Sequence, residues 1–307
     1  MKLDAAIELT IEPSKELFVT LFSMARTSKV SEDDYTDNSL GSKGMQVTYH
    51  DSQYRKKIQI KFILSKLQSK SDDTGTLMRK IGKRLCKYFG RRLEQLDFTL
   101  SSMVVSADLA VGQQETVEAY MTVLRRIGNV KGYTLDCDCR IGGTPTFLHW
   151  SGNSNSKDLI LLNKRCFSES KADSGILQAR VYLLKNKAVR TYCSEASTPM
   201  QIARCIELSK DIFLDTFAQI VPSGSYFKKE TAVKHIRQAV GNINLRQKMI
   251  RLLELIPEKK SLLRAQKAMT YRKPQHLLLR FAKIDLSPIT ISKRQKISSL
   301  GNLYTFL

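Results

Sequence analysis

Apolar residues recur along this chain with two different periods. In "KKIQIKFILSKLQ" (residues 56–68), Ile58, Ile60 and Phe62 alternate with Lys57, Gln59 and Lys61. Period two over that length predicts a half-buried strand with a basic outer face. In "TGTLMRKIGKRLCKYFGRRLEQL" (74–96) the spacing changes: Leu77, Ile81, Leu85 and Phe89 stand four apart, which predicts a helix with a strongly basic opposite face. "FTLSSMVVSADLAV" (98–111) is long and rich in β-branched residues, as a central strand is. "GQQETVEAYMTVLRRIG" (112–128) predicts an amphipathic helix that closes on Gly128 after Arg125 and Arg126. Four strands are predicted next, "YTLDCDC", "PTFLHW", "KDLILLNK" and "ILQARVYLL". From about Thr198 the period becomes helical, with Pro199 near a first turn, and after "VPSGSYF" it stays so through "ETAVKHIRQAV", "NLRQKMIRLLELI", "KKSLLRAQKAM" and "PQHLLLRFAKI".

These elements predict an α+β fold: an antiparallel-rich sheet with helices on one side, followed by a basic all-helical C-terminal domain. Charge sharpens the partition. Residues 1–44 hold eight acids against five bases and end in the polar "SEDDYTDNSLGSKG", which reads as an acidic N-terminal segment or exposed linker. Residues 45–222 are the α+β domain, and 223–307 the basic helical domain. Between residues 226 and 300 there are eighteen Lys and Arg against four Asp and Glu.

The 307 residues carry a formal net charge of +21, and 42% of them are hydrophobic, enough for a sizeable core. So large an imbalance repels itself in the compact state and implies a polyanionic partner. Nucleic acid is favoured over acidic lipid, because no apolar run approaches the roughly 18 residues that span a bilayer. The N-terminus has the pattern of neither a signal nor a transit peptide, so a cytoplasmic location is expected. The six cysteines then read as reduced thiols. Only Cys137 and Cys139 are close, and two further zinc ligands at finger-like spacing are missing.

Several stretches, taken in order, resemble the replication initiators of filamentous bacteriophages (gene II type) and, more distantly, plasmid rolling-circle initiators. "KKIQIKFILSKLQ" is similar to that family's strand ending in a Ser/Pro-x-Lys turn. "SSMVVSADLAV" with its helix resembles the Arg-Ile-Asp strand and following helix, and "FLHWSGNSNSKDLILLNKR" the stretch leading to Tyr-Asp-Lys. "SGILQARVYLLKNKAVRTY" resembles the Arg-Phe-Glu strand with its basic continuation, and "HLLLRFAKIDLSP" a closing apolar strand. The likeness covers most of residues 45–290, in short pieces. The chain departs from it at Ser106-Ala107-Asp108, where only the acid matches. It departs again at Gln178-Ala179-Arg180, where the carboxylate is absent, and at Leu162-Asn163-Lys164.

What the resemblance implies is a protein that binds double-stranded or nicked DNA at a phage or plasmid origin and nicks one strand, with host helicase and polymerase as further partners. If it is phage-encoded, its place is the host bacterial cytoplasm. Such chemistry needs a tyrosine nucleophile and, to polarise the phosphate, a divalent metal, Mg²⁺ or Mn²⁺. No His-x-His pair is present; the metal candidates are Asp108 and His149, with a strand-end aspartate meeting a lysine as the plain alternative for Asp108. The candidate nucleophiles are Tyr226, with Lys229 three residues on, and Tyr192 in a basic loop. An ordinary packing tyrosine is the alternative for each. Lys164 completes the catalytic set. Phosphate contacts are expected from Lys83, Arg84, Lys87 and Arg91 on one helix, from Lys185, Lys187 and Arg190 beyond a strand, and from Arg246, Lys248, Arg251, Lys260 and Arg264 near the C-terminus. Two other functions fit the same charge: a DNA-binding regulator whose missing carboxylates mean a lost active site, and a basic RNA-binding protein.

Overall fold

The computed structural model describes residues 3–67, 73–90, 97–137, 143–154, 156–168, 170–194, 197–269 and 274–307. It divides into two compact units. The first comprises Leu3–Val105 and Tyr182–Ile212, the second Ser106–Val181 and Phe213–Leu307. The elements confirm an α+β fold with antiparallel strands and a helical C-terminal region. No helix among the described residues is long and apolar enough to cross a membrane.

In the first unit the strands β1 (Leu3–Ile11), β2 (Thr27–Lys29), β3 (Asp34–Asp37), β4 (Met45–Asp51), β5 (Lys56–Ile63) and β6 (Thr99–Ala110) lie in the order β2-β3-β4-β5-β1-β6. This corrects the expectation that residues 1–44 form an exposed linker. β1 is an inner strand, registered antiparallel on β5 with Ile7 opposite Phe62 and Leu9 opposite Ile60. Ile7 and Leu9 are wholly buried, as are Ile58, Ile60 and Phe62. The alternation read in residues 56–63 thus seals one face of the sheet, while Lys57, Gln59 and Lys61 stay on the other.

Two helices lie between these strands in sequence, α1 (Lys15–Met24) and α3 (Thr74–Phe89), with the single turn α2 (Leu64–Leu67) closing β5. α3 starts where Asp73 accepts a hydrogen bond from the Thr76 N–H at 2.7 Å and stops at Gly90, which takes the left-handed conformation that glycine tolerates best. Leu77, Ile81, Leu85 and Phe89 are its buried stripe, as their spacing predicts. Beyond the strand β10 (Ile176–Leu183) come the short α5 (Asn186–Arg190) and α6 (Thr198–Glu207), the latter packed on α3.

The second unit orders its strands β6-β10-β9-β8-β7, with β7 (Tyr133–Cys137), β8 (Phe147–Gly152) and β9 (Lys157–Asn163) paired antiparallel. Its helices are α4 (Gln114–Leu124), α7 (Ser209–Ile220, from Phe213 on), α8 (Lys229–Ala239), α9 (Ile243–Lys259), α10 (Leu262–Ala268) and α11 (Pro274–Lys283); β11 (Tyr226–Phe227) pairs with β12 (Ser299–Leu300). The expected break at residue 222 does not mark a unit boundary, because the C-terminal helices are bonded into this unit. The Tyr120 hydroxyl donates to the Gly301 carbonyl at 2.9 Å, and the Ser261 hydroxyl to the Asn129 carbonyl at 2.9 Å. At Gly128 the approach is so close that a Cβ would stand 2.6 Å from the Lys260 carbonyl oxygen. "HLLLRFAKI" is helix α11 rather than a closing strand, and Leu279 on it is exposed.

Cysteine use also differs from expectation: Cys137 is disulfide-bonded, whereas Cys86 and Cys166 are exposed thiols and the buried Cys193 and Cys205 sulfurs lie 3.1 Å apart. Cys139 and Asp138 lie outside the described residues.

One buried carboxylate holds the β3 end of the first unit. Asp37, 3% exposed, accepts from the Arg26 N–H (3.1 Å), the Ser39 N–H (2.8 Å) and the Tyr88 hydroxyl (2.7 Å), and the Tyr49 and Tyr88 hydroxyls stand 3.2 Å apart. Burial alone would raise its pKa. The donors from Ser39, Tyr88 and Arg26 outweigh that and hold it below its usual 3.8. A carboxyl depressed by folding stabilises the native state above its unfolded pKa, and that contribution fades as pH falls through the folded value. Tyr88→Phe should therefore destabilise the protein by about 1–3 kcal/mol at pH 7 by leaving a buried acceptor short of a donor, measured by urea unfolding. The deficit should shrink below pH 4, as Asp37 protonates.

Candidate functional site

Two polar arrangements stand out, one in each unit. In the second unit, β6, β9 and β10 bring together residues far apart in sequence. Lys164, just past the end of β9, points its ammonium at Asp108 Oδ2 (2.6 Å) on β6 and at Asp173 Oδ1 (2.9 Å). The Gln178 amide on β10 donates to Asp108 Oδ1 at 2.6 Å, and Arg180 Nε donates to Gln178 Oε1 at 2.7 Å. The cluster is part-exposed, with the Asp108 side chain 39% accessible. Burial would lower the pKa of Lys164, but its hydrogen bonds to Asp108 and Asp173 and their charges together raise it. Hydrogen bonds from Ser168 and then Lys164 lower that of Asp173. Next to Lys164, the Asn163 side-chain oxygen is buried with no hydrogen-bond partner among the described residues.

Asp108 and Lys164 are thus in direct contact, which local sequence reading could not reveal across 56 positions. The plain alternative for Asp108, an acid meeting a lysine, describes what is observed. His149 is elsewhere. Its Nε2 bonds Asp158 Oδ2 at 2.8 Å and lies 3.2 Å from the Ser151 hydroxyl, and Asp136 is its cross-strand partner on β7. Two strands, β10 and β9, separate β6 from β8, so Asp108 and His149 are about 14 Å apart, three strand spacings. One hard cation, with ligand distances of 2.0–2.6 Å, cannot be shared by that pair, and the Asp108 and Asp173 oxygens already hold an ammonium. The predicted ligand set does not fit a common Mg²⁺ or Mn²⁺, and no step is derived through it.

Tyr226 requires a correction. It is wholly buried on β11, its ring edge-on to Tyr120 with centroids 6.0 Å apart. Burial, reinforced by Tyr304 and Tyr120, pushes its pKa far above that of a free phenol, the wrong direction for a nucleophile. Its expected helper Lys229 starts helix α8, and its ammonium bonds Glu254 at 3.2 Å. Tyr192, by contrast, is half-buried in the turn after α5, in the first unit.

The second arrangement is a basic groove in the first unit. Lys80, Lys83, Arg84 and Lys87 form one stripe of α3, spaced three and four apart, on the face opposite the apolar one. With Lys43, Leu40 and Leu67 they line a cavity of about 330 Å³ that no carboxylate among the described residues enters. Lys80 is aimed by a hydrogen bond to the Leu67 carbonyl at 3.1 Å. Five cations over two leucines make a concave surface suited to phosphate oxygens, which ammonium and guanidinium groups bind by charge-assisted hydrogen bonds. Lys43 and the groove itself were not read from the sequence, because Lys43 reaches α3 only through the fold.

The other cations divide. Lys185, Lys187 and Arg190 are exposed, but on the α5 turn rather than a strand end. Lys248, Arg251, Lys260 and Arg264 are exposed on the C-terminal helices. Arg246 is not available to DNA in the expected way: its Nε and Nη2 both donate to the Val240 carbonyl, at 3.0 and 2.8 Å. Arg91, with Arg92, lies outside the described residues, as do Tyr271, Arg272 and Lys273.

No family model and no curated protein matches the chain. Among solved structures it is similar to a rolling-circle replication initiator protein from Geobacillus stearothermophilus, at 11% identity and a TM-score of 0.37, over 96% of this chain and 100% of that one.

Removing three groove charges together (Lys83→Ala, Arg84→Ala, Lys87→Ala) should weaken binding to any DNA duplex alike. It should also flatten the slope of log K against log salt by about 2–3, at roughly 0.9 per lost phosphate contact. A titration of a labelled duplex from 50 to 300 mM salt reads it, and an unchanged slope would remove the groove from the DNA interface.

Proposed function

We propose that this protein is a DNA-binding replication initiation protein of the rolling-circle type. The observation that carries the DNA-binding part is the α3 groove, where Lys43, Lys80, Lys83, Arg84 and Lys87 converge and whose lining, among the described residues, contains no acidic residue. Acid-free basic concavity is what a phosphate backbone needs and what a solvated helix face lacks, since such a face mixes Glu with Lys. The replication part is supported by the ordered resemblance of residues 45–290 to initiator sequences.

Nicking in this reading falls to Tyr192, the one of the two candidate tyrosines that is not fully buried. The phenol oxygen attacks the scissile phosphorus and the bond from phosphorus to the 3′ oxygen breaks. The phenol proton ends on that oxygen, leaving a 3′ hydroxyl for a polymerase and the 5′ phosphate on the tyrosine. Lys185, Lys187 and Arg190, on the same segment, would steady the flanking phosphates.

A second reading, a DNA-binding regulator that never cuts, is favoured by one observation. The Asp108 carboxylate, the acid that matches the initiator pattern, is already engaged by Lys164 and Gln178.

Supercoiled plasmid carrying origin DNA separates the two. The protein should yield open circles bearing protein on the 5′ end, incubations with Mg²⁺, Mn²⁺ and EDTA show whether a divalent ion is needed, and Tyr192→Phe should abolish cutting while still retarding the plasmid on a gel. Retarded but uncut plasmid under every metal condition establishes the regulator instead.

A further inference from the structure

Helices α8 and α9 are joined by only three residues, Val240, Gly241 and Asn242. The junction is fixed at both ends. The Asn242 side chain accepts from the Leu245 N–H at 2.9 Å and caps α9. Arg246, one turn into α9, reaches back with two nitrogens to the Val240 carbonyl at the end of α8. Ala232 and Ile236 on α8, and Met249, Leu252 and Leu253 on α9, are buried together with Val240. Two helices held by a short glycine-containing turn, with the second helix's first turns left outside the core, make a helix-turn-helix arrangement.

The uncovered side of α9 is chemically unusual. Asn244, Gln247, Lys248 and Arg251 are all exposed and stand three and four residues apart, so they share one face. Ile243, beside them, is 64% exposed. The first acid on the helix is Glu254, whose carboxylate lies against Lys229 and Arg251. A solvated helix face is ordinarily Glu and Lys. This one carries two carboxamides, a guanidinium, an ammonium and an aliphatic tip.

We propose that this face of α9 reads base edges in the major groove of duplex DNA. The inference rests on the DNA-binding reading above and adds to it the element that reads sequence. The side chains match the donors and acceptors there: Asn and Gln bond N6 and N7 of adenine in pairs, Arg and Lys bond O6 and N7 of guanine, and an aliphatic tip packs on the thymine methyl. The net positive face suits the phosphate-walled groove, and a groove about 12 Å wide admits a helix. The deep, narrow major groove of A-form RNA does not, which favours DNA as the occupant. Arg246 acts here as a positioning residue, since it sets the angle at which α9 leaves α8.

The experiment uses the full chain. A pool of random 20-base-pair duplexes is selected on the wild-type protein at about 150 mM salt, and the winner is compared with a scrambled duplex. Asn244→Ala and Gln247→Ala should each lose roughly 5- to 150-fold in affinity for the selected duplex while binding the scrambled one as before. The unchanged scrambled binding also shows that the variants are folded. Gln247→Arg, re-selected, should change the preferred base at one position from adenine to guanine, an outcome that a purely structural residue would not produce. If a duplex is selected but all three variants bind it like wild type, α9 is not the reader, and the DNA-binding reading stands. If the protein enriches no duplex and prefers RNA or single strands, both the inference and the reading beneath it fail.

Discussion

Strict alternation along the strands is the constraint on which the rest of this protein depends. Where Ile58, Ile60 and Phe62 go inward, Lys57, Gln59 and Lys61 must go outward, since successive side chains leave a strand on opposite faces. The outward face of the first unit is bonded into a ladder. Asp34 bonds His50, His50 bonds Gln59, the Gln59 amide donates to Glu8 at 2.7 Å, and the Ser101 hydroxyl donates to the Glu8 carbonyl at 3.0 Å. Five neighbouring strands are laced by side chains as well as by backbone. The same alternation keeps the cations on the surface, because burying an unpaired ammonium costs several kcal/mol. With 50 bases and 29 acids, the acids that join such ladders or local ion pairs are used up, and stretches such as α3 are left positive.

The Lys164 cluster shows the opposite use of charge. An ammonium between two carboxylates, with an amide on the remaining Asp108 oxygen, is densely hydrogen-bonded. The Lys164 and Gln178 hydrogen bonds orient the Asp108 carboxylate near the end of β9. An amide at position 178 suits this arrangement better than a carboxylate would. A third acid would add negative charge where Asp108 and Asp173 already outnumber Lys164, whereas the Gln178 amide gives Asp108 a donor and takes the Arg180 N–H in return.

Much of the fold was legible because its signals are local. The stripe of α3, the strand of residues 56–63, the long β6, the helix α4 and the run of C-terminal helices all follow from period and caps. The failures share a cause. The acidic, Gly- and Ser-containing text near residue 40 hid the fact that Leu3–Ile11 is an inner strand, since only its pairing with residues 58–63 makes it one. Tyr226 looked chemically poised from Lys229 three positions on, yet a strand of two residues followed directly by a helix sends the phenol inward and the ammonium to Glu254. Arg246 was counted with the phosphate contacts on charge alone, while its hydrogen bonds make it part of a turn. Lys164 was counted among the catalytic candidates, and its partners Asp108 and Asp173 come from other elements. Charge and period are written along the chain; the partner of a given charge is not.

Side-chain type, rather than charge alone, then separates the two kinds of basic surface. The α3 stripe is mostly lysine, a flexible point charge that follows a phosphate wherever it lies and carries no preference between bases. The outer face of α9 has the same sign but different geometry, since carboxamides and a guanidinium present paired, planar donors and acceptors that reward one base edge over another. Asn244 and Gln247 contribute nothing to net charge, so electrostatic attraction cannot account for their exposure there. What distinguishes them is that each offers a donor and an acceptor side by side, which is useful only against a partner that does the same. In the proposed reading, surplus charge would draw the chain to a polyanion, and the uncharged amides on α9 would tell one stretch of it from another.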